Sequence, residues 1–275
     1  MSSYKEHVLF AILTSLIFFQ NPISIVLVII GASLPDFDHN IKKLNVYKMI
    51  IIGLISFIIL YIANLPYLVG IIFLIIPIIF YFSNHRGFTH SILGIFLLSL
   101  LLSIVIIMGI FLIYPSLEYL AIMNNIENYF LVSTVIIVLV LGILTINKNL
   151  IVPFIVLFLL GIIFLPIEYY SFFTTFDISY NFINWLIYSI NTIIGINLIT
   201  DFNLVFINQM MICFFLPLFL GFLTHLILDS LTPAGIELFR PFSSKKVHKK
   251  FAVACLILIL LLAILKYFFT YNYYF

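Results

Sequence analysis

Charge is what this chain has least of. Its 275 residues include only 12 Lys or Arg and 10 Asp or Glu, 8% of the whole, against 65% hydrophobic residues. A soluble domain carries roughly 25% charged residues, so this chain has too few to cover its own apolar surface in water. The net charge of +2 describes no basic face, which excludes nucleic acid as a partner. Cysteine is scarce as well: Cys213 and Cys255 both sit in apolar runs, where they act as small hydrophobes rather than as a disulfide framework. Internal repeats and low-complexity linkers are missing. What remains is an integral membrane protein, read as one domain over residues 1–275.

A helix needs about 20 apolar residues to cross the hydrocarbon core. Uncharged runs near 48–64, 67–82, 91–114, 130–146, 150–167, 206–228 and 251–273 predict seven spans, the last an anchor. Nothing alternates polar with apolar over strand length, and open sheets do not survive in lipid. The expected fold is therefore all-α, a polytopic transmembrane helical bundle. The N-terminus differs from the rest. Val8–Phe19 and Ile23–Leu34 flank Gln20-Asn21-Pro22, and each is only about 12 residues, roughly 18 Å as helix, too short to span alone. Lys5 before an apolar run resembles a signal peptide, but no small-x-small cleavage site follows. The preferred reading is a re-entrant helical hairpin turning at Asn21-Pro22; one span over about residues 8–30 is the alternative.

With a re-entrant hairpin, the loops 1–7, 35–48, 83–90, 147–149 and 229–250 share a side. They hold Lys5, Lys42, Lys43, Lys48, Arg86, Lys148, Arg240, Lys245, Lys246, Lys249 and Lys250, eleven of the twelve cations; Lys266 lies in the last span, within snorkelling reach of its end. The opposite loops hold Glu118, Glu127, Glu168, Asp177 and Asp201 but no Lys or Arg. The positive-inside rule places the first set in the cytoplasm of a cell-membrane protein. Between Asp177 and Asp201, the stripe Asn181, Asn184, Tyr188, Asn191 and the single tryptophan, Trp185, predict an amphipathic helix lying in the interface.

The few ionisable groups are sorted by side. All six histidines (His7, His39, His85, His90, His225, His248) and half of the acids (Glu6, Asp36, Asp38, Asp229, Glu237) fall on the predicted cytoplasmic face. Four segments carry them. Glu6-His7 opens the hairpin. Gly31 to His39 ends an apolar run at Pro35 and presents Asp36 and Asp38. His85-Arg86-Gly87-Phe88-Thr89-His90-Ser91 is a polar turn between two spans. Gly221-x-x-x-His225-x-x-x-Asp229 puts three residues on one helical face, followed by Ser230 and Thr232.

Imidazole nitrogens and carboxylate oxygens are ligands for zinc, and they also suit manganese or iron. A divalent metal, one to three ions, would explain how such groups tolerate apolar surroundings. Each piece alone has a plainer explanation: an isolated His-x-x-x-Asp as an ion pair, the Asp turn as a helix cap, His85 and His90 as loop residues. His39 and His248 are left to that plainer reading, His248 because it sits in a Lys-rich headgroup anchor. The candidate ligands are His7, Asp36, Asp38, His85, His90, His225 and Asp229. Arg86 reads equally as a phosphate partner or as a positive-inside anchor. Thr89, Ser91, Ser230 and Thr232 are candidate supports to the ligands.

At these four segments the chain resembles the predicted membrane-bound metal-dependent hydrolases, the YdjM-like inner-membrane proteins. Their pattern is an early His, a G-x-x-x-P-D-x-D-H turn, an H-R-G-x-T-H-S loop and a later H-x-x-x-D helix. Here these are His7, Gly31 to His39, His85 to Ser91, and His225 with Asp229, in order over about residues 5–240. The ligand order is also distantly similar to the zinc-dependent phospholipase C and single-strand nuclease superfamily. That likeness implies that His225 and Asp229 share a metal with Asp36 or Asp38 and His90. It implies too that Asp229 bridges to a second ion reached by His7, and that Asp36 or Asp38 aligns the attacking water. Further ligands of that superfamily have no counterpart here.

The expectation is a hydrolase acting on a phosphoester of a lipid or other amphiphile at the cytoplasmic surface of the bilayer, with Asp36, Asp38 and Arg86 as its catalytic groups. The rival is a transporter using the same cluster as an ion or proton pathway.

Overall fold

The computed structural model describes residues 4–38, 43–65, 67–83, 86–124, 129–146, 148–164 and 201–272. These form nine α-helices: α1 (Tyr4–Phe18), α2 (Pro22–Ser33), α3 (Lys43–Ile62), α4 (Leu68–Phe82), α5 (Ile92–Asn124), α6 (Tyr129–Thr145), α7 (Lys148–Phe164), α8 (Asp201–Leu231) and α9 (Lys249–Asn272). Two 3-10 turns, Pro35–Asp38 and Phe88–His90, follow α2 and precede α5. Among the described residues there is no strand, only an isolated antiparallel bridge between Ile236 and Val247. The amphipathic helix expected over 177–200 lies outside the described residues.

The seven expected spans divide into two groups. Ile92–Ile113 in α5, Ile212–Leu231 in α8 and Lys249–Tyr267 in α9 are long and apolar enough to cross a membrane. Val46–Ile62, Leu68–Phe82, Leu131–Thr145 and Leu150–Ile163 are shorter apolar helices of 10–17 residues. The uncharged runs do not mark helix ends: Leu65 and Tyr67 are apolar yet lie outside α3 and α4, while α5 and α8, with 33 and 31 residues, outrun theirs.

The first two helices form a hairpin. Asn21 stops the chain and restarts it, its side chain accepting a hydrogen bond from the Ile23 N–H at 2.8 Å while Pro22 occupies the first helical position. Tyr4 near the start of α1 meets Ser33 at the end of α2, their hydroxyls 3.0 Å apart. The chain therefore returns to where it began, which overturns the single span over residues 8–30. α1 buries His7, Ala11, Thr14 and Ser15 and exposes Leu9, Leu13 and Leu16. Small and polar side chains inward with leucines outward is the pattern of a helix in lipid, where Leu gains nothing by leaving its surroundings.

α2 and α8 are the centre, with α1, α5, α6, α7 and α9 packed around one or both. Two glycines set their separation. A Cβ on Gly31 would stand 2.4 Å from the Leu218 carbonyl oxygen, and one on Gly221 would stand 2.1 Å from that of Val28. No side chain fits at either point, so the backbones touch. At the opposite end of α1, Lys266 of α9 donates to the carbonyls of Ile17 (3.2 Å) and Phe18 (2.8 Å). It caps a helix C-terminus, where a cation is favoured.

Candidate metal centre

The hairpin brings His7 and the Asp36 turn together, and close α2–α8 packing lays both against the end of α8. The His90 turn closes the fourth side. It is braced by α5: Ser91 accepts from the Gly94 N–H at 3.0 Å, a helix cap, and Gly94 has no room for a Cβ beneath the Phe88 carbonyl. The Leu238 carbonyl accepts from the Ile92 N–H at 3.0 Å, tying the segment after α8 to the same place.

Asp229 is the hub, only 3% exposed. Its Oδ1 lies 3.7 Å from His7 Nε2 and 3.4 Å from Arg86 Nη2; its Oδ2 lies 3.3 Å from His90 Nε2 and 3.5 Å from His225 Nε2. Asp36 Oδ1 stands 3.6 Å from the same His225 nitrogen. The His7 and His225 rings stack with centroids 3.9 Å apart, and His90 meets His225 edge-on at 5.2 Å. His7, His90 and His225 are almost wholly buried. Burial first, and the neighbouring His225 ring second, hold His7 down to about 3, so its imidazole is neutral, the form that ligates a metal.

The His225 tautomer follows from its partner. His225 Nδ1 lies 2.7 Å from the Ala32 carbonyl oxygen. A carbonyl only accepts, so Nδ1 carries the proton and Nε2 presents a lone pair to the cluster. His90 Nδ1 lies 3.1 Å from the Thr89 hydroxyl, which can donate or accept and so orients the ring without fixing its tautomer.

The separations themselves carry information. At 3.3–3.7 Å the donor and acceptor atoms are beyond ordinary hydrogen-bond distances of about 2.7–3.2 Å. Bonds of about 2.0–2.1 Å to a tetrahedral zinc would place neighbouring ligand atoms about 3.3–3.4 Å apart, close to the spacing seen. Among the described residues two groups could hold an ion: His7, His225 and Asp229, and Asp36, His90 and His225, the ligand atoms in each within 4.8 Å of one another. Both use His225 Nε2, and one lone pair serves one ion. These two groups are thus alternative halves of a single centre, and a second ion would need ligands beyond them.

The family model described as YdjM inner membrane protein matches residues 1–273. The chain belongs to the YdjM family. No curated protein and no solved structure matches it. In this YdjM protein five of the seven candidate ligands converge: His7, Asp36, His90, His225 and Asp229. His85 lies outside the described residues, and of Asp38 only the backbone is described, at the end of its turn. Among the four expected supports, Thr89 touches His90 and Thr232 bonds to Arg86 and to the Asp229 carbonyl. Ser91 caps α5, and Ser230 donates to the Ile227 carbonyl of its own helix, so neither is bonded to a ligand side chain there. Glu237 pairs with Arg240 rather than with the cluster, and exposed His248 sits beside Gly235. The Ala32 carbonyl, which orients His225, has no side-chain signature by which a sequence could reveal it.

Proposed function

We propose that this membrane protein is a metal-dependent hydrolase, most naturally of zinc, cleaving a phosphoester bond in a lipid or amphiphilic substrate at the cytoplasmic membrane surface. The observation that carries this reading is the set of imidazole nitrogens and carboxylate oxygens spaced 3.3–3.7 Å around Asp229. A divalent ion there would supply Lewis acidity and a water nucleophile near neutral pH.

The chain's own residues divide the remaining work. His7, His90, His225 and Asp229 are buried and make up the holding set. Asp36 is the ligand group with access, its side chain 21% exposed, and it is placed to orient a water and accept its proton; Asp38, two residues on in the same turn, is the second candidate for that role. Arg86 is the group for phosphoryl oxygens, because a guanidinium grips two at once. Nearly all the cations in the predicted cytoplasmic loops support the site's facing that side.

Metal analysis of the purified protein beside an Asp36→Ala/His225→Ala double variant tests the centre: bound zinc, manganese or iron is expected only in the unmodified chain. Equal content in both would sink the reading. Release of product from phospholipids, lipid diphosphates and chromogenic phosphodiesters tests the reaction. Ion flux in proteoliposomes without any hydrolysis would favour a transporter instead.

A further inference from the structure

Arg86 is not placed as a membrane anchor. An anchor needs its charged head among the headgroups, yet the Arg86 side chain is 13% exposed and points into the site. Its backbone is in the left-handed region, φ 61°, where a non-glycine residue is uncommon. The turn holds this conformation while the guanidinium reaches α8 and the segment just after it.

The guanidinium is incompletely engaged. Nη1 donates to Thr232 Oγ1 at 3.0 Å, and Thr232 is itself fixed by donating to the Asp229 carbonyl at 2.7 Å. Nη2 reaches Asp229 Oδ1 only at 3.4 Å. Nε is buried and makes no hydrogen bond among the described residues. A buried N–H without a partner calls for an explanation. Nε and Nη2 form the edge that grips a carboxylate or phosphate with two parallel bonds, and here that edge makes one long contact.

The oxygen in that contact is contested. Oδ1 is also the oxygen nearest His7, at 3.7 Å, and His7, His225 and Asp229 are one of the groups able to hold an ion. A cation held by His7 and Asp229 would compete with Arg86 for Oδ1 and repel the guanidinium, while Nη1 is moored to Thr232.

We propose that Arg86, moored by Thr232, forms a subsite for a tetrahedral oxyanion beside the metal centre, and that a cation on Asp229 opens this subsite by taking the oxygen Arg86 now holds. The proposal rests on the metal reading above. It makes Arg86 a competitor of the cation when no anion is present and its ally when one is. Because such coupling is reciprocal, anion must tighten cation binding as cation tightens anion binding. The chemistry is a phosphoryl group, free or on a lipid.

The test is Co2+ titration of the full chain in detergent micelles, followed by absorption and calorimetry, alone and with inorganic phosphate or a short-chain phosphatidate. In the unmodified protein phosphate should raise Co2+ affinity by about 10-fold. Arg86→Gln should bind Co2+ more tightly than the unmodified chain without phosphate, and phosphate should no longer matter. Thr232→Val should retain Co2+ binding and lose most of the phosphate effect, which keeps the test open if Arg86→Gln misfolds by circular dichroism. An effect with phosphatidate alone assigns the subsite to a lipid headgroup; one with both assigns it to the phosphoryl group itself. Weaker Co2+ binding by a folded Arg86→Gln with the phosphate effect intact overturns the proposal, as does Co2+ binding by the unmodified protein that neither anion changes. No Co2+ binding at all overturns the metal reading, and the proposal with it.

Discussion

α8 and α9 enclose membrane-length segments of similar size and apolar character, Ile212–Leu231 with 20 residues and Lys249–Tyr267 with 19, yet 61% of the first is buried within the protein against 11% of the second. Hydropathy does not separate them. α8 carries Gly221, Thr224, His225, Asp229 and Ser230 along its buried side, whereas Phe251–Leu265 of α9 contains nothing more polar than Cys255. In water the more apolar helix would be the inner one. In lipid the order reverses, because leucine finds hydrocarbon on either side while small and polar residues allow close approach and hydrogen bonds. The buried His/Asp cluster is built on the helix that the bilayer tolerates less well by itself.

Four changes would break or sharpen this contrast. The largest effect is expected from Asp229→Asn, which weakens the one group that faces three imidazoles. Metal affinity should fall by more than about 100-fold, beyond the 10–100-fold typical of losing a supporting contact, as measured by competition with a chromogenic chelator. Next is Gly221→Ala. Its methyl would drive into the Val28 carbonyl, costing roughly 1–3 kcal/mol in thermal unfolding in detergent. It should also weaken metal binding, since the Ala32 carbonyl that orients His225 is on the displaced helix. Lys266→Met removes the cap on α1 and should cost about 1 kcal/mol or less, read in the same melts, with metal affinity little changed. Leu261→Ala, at a lipid-facing position on α9, should stay within about 0.5 kcal/mol. If it proves as costly as Gly221→Ala, the inside–outside distinction between the two helices is wrong.

Much of the centre was legible because charge is so rare in this chain. A buried Asp or His in an apolar sequence requires a partner, and the four polar segments had only one another. His225 and Asp229 declared a shared face through their spacing of four, and Asn21-Pro22 declared the hairpin through turn chemistry. Other parts had no such mark. That Gly221 meets α2 opposite Gly31 is a pairing between distant segments, and a backbone carbonyl such as that of Ala32 looks alike at every position. Serines misled for a related reason: Ser91 and Ser230 lie beside ligands in the chain, but a hydroxyl next to a helix finds a backbone partner first. Among the described residues three helices reach membrane length where seven spans were expected, since an uncharged run says where lipid is tolerated, not where a helix begins or ends.

Lys266 extends the reach of the centre beyond its own surroundings. It grips α1 at Ile17 and Phe18, while His7, eleven residues earlier on the same helix, supplies an imidazole to the centre. Eleven residues of α-helix are a rigid rod about 16 Å long. The two ends of that rod are thus a charge seated on the exposed α9 and an imidazole seated beside the buried Asp229 carboxylate. A tilt or slide of α9 in the bilayer would be carried along α1 to His7 and the buried His/Asp cluster.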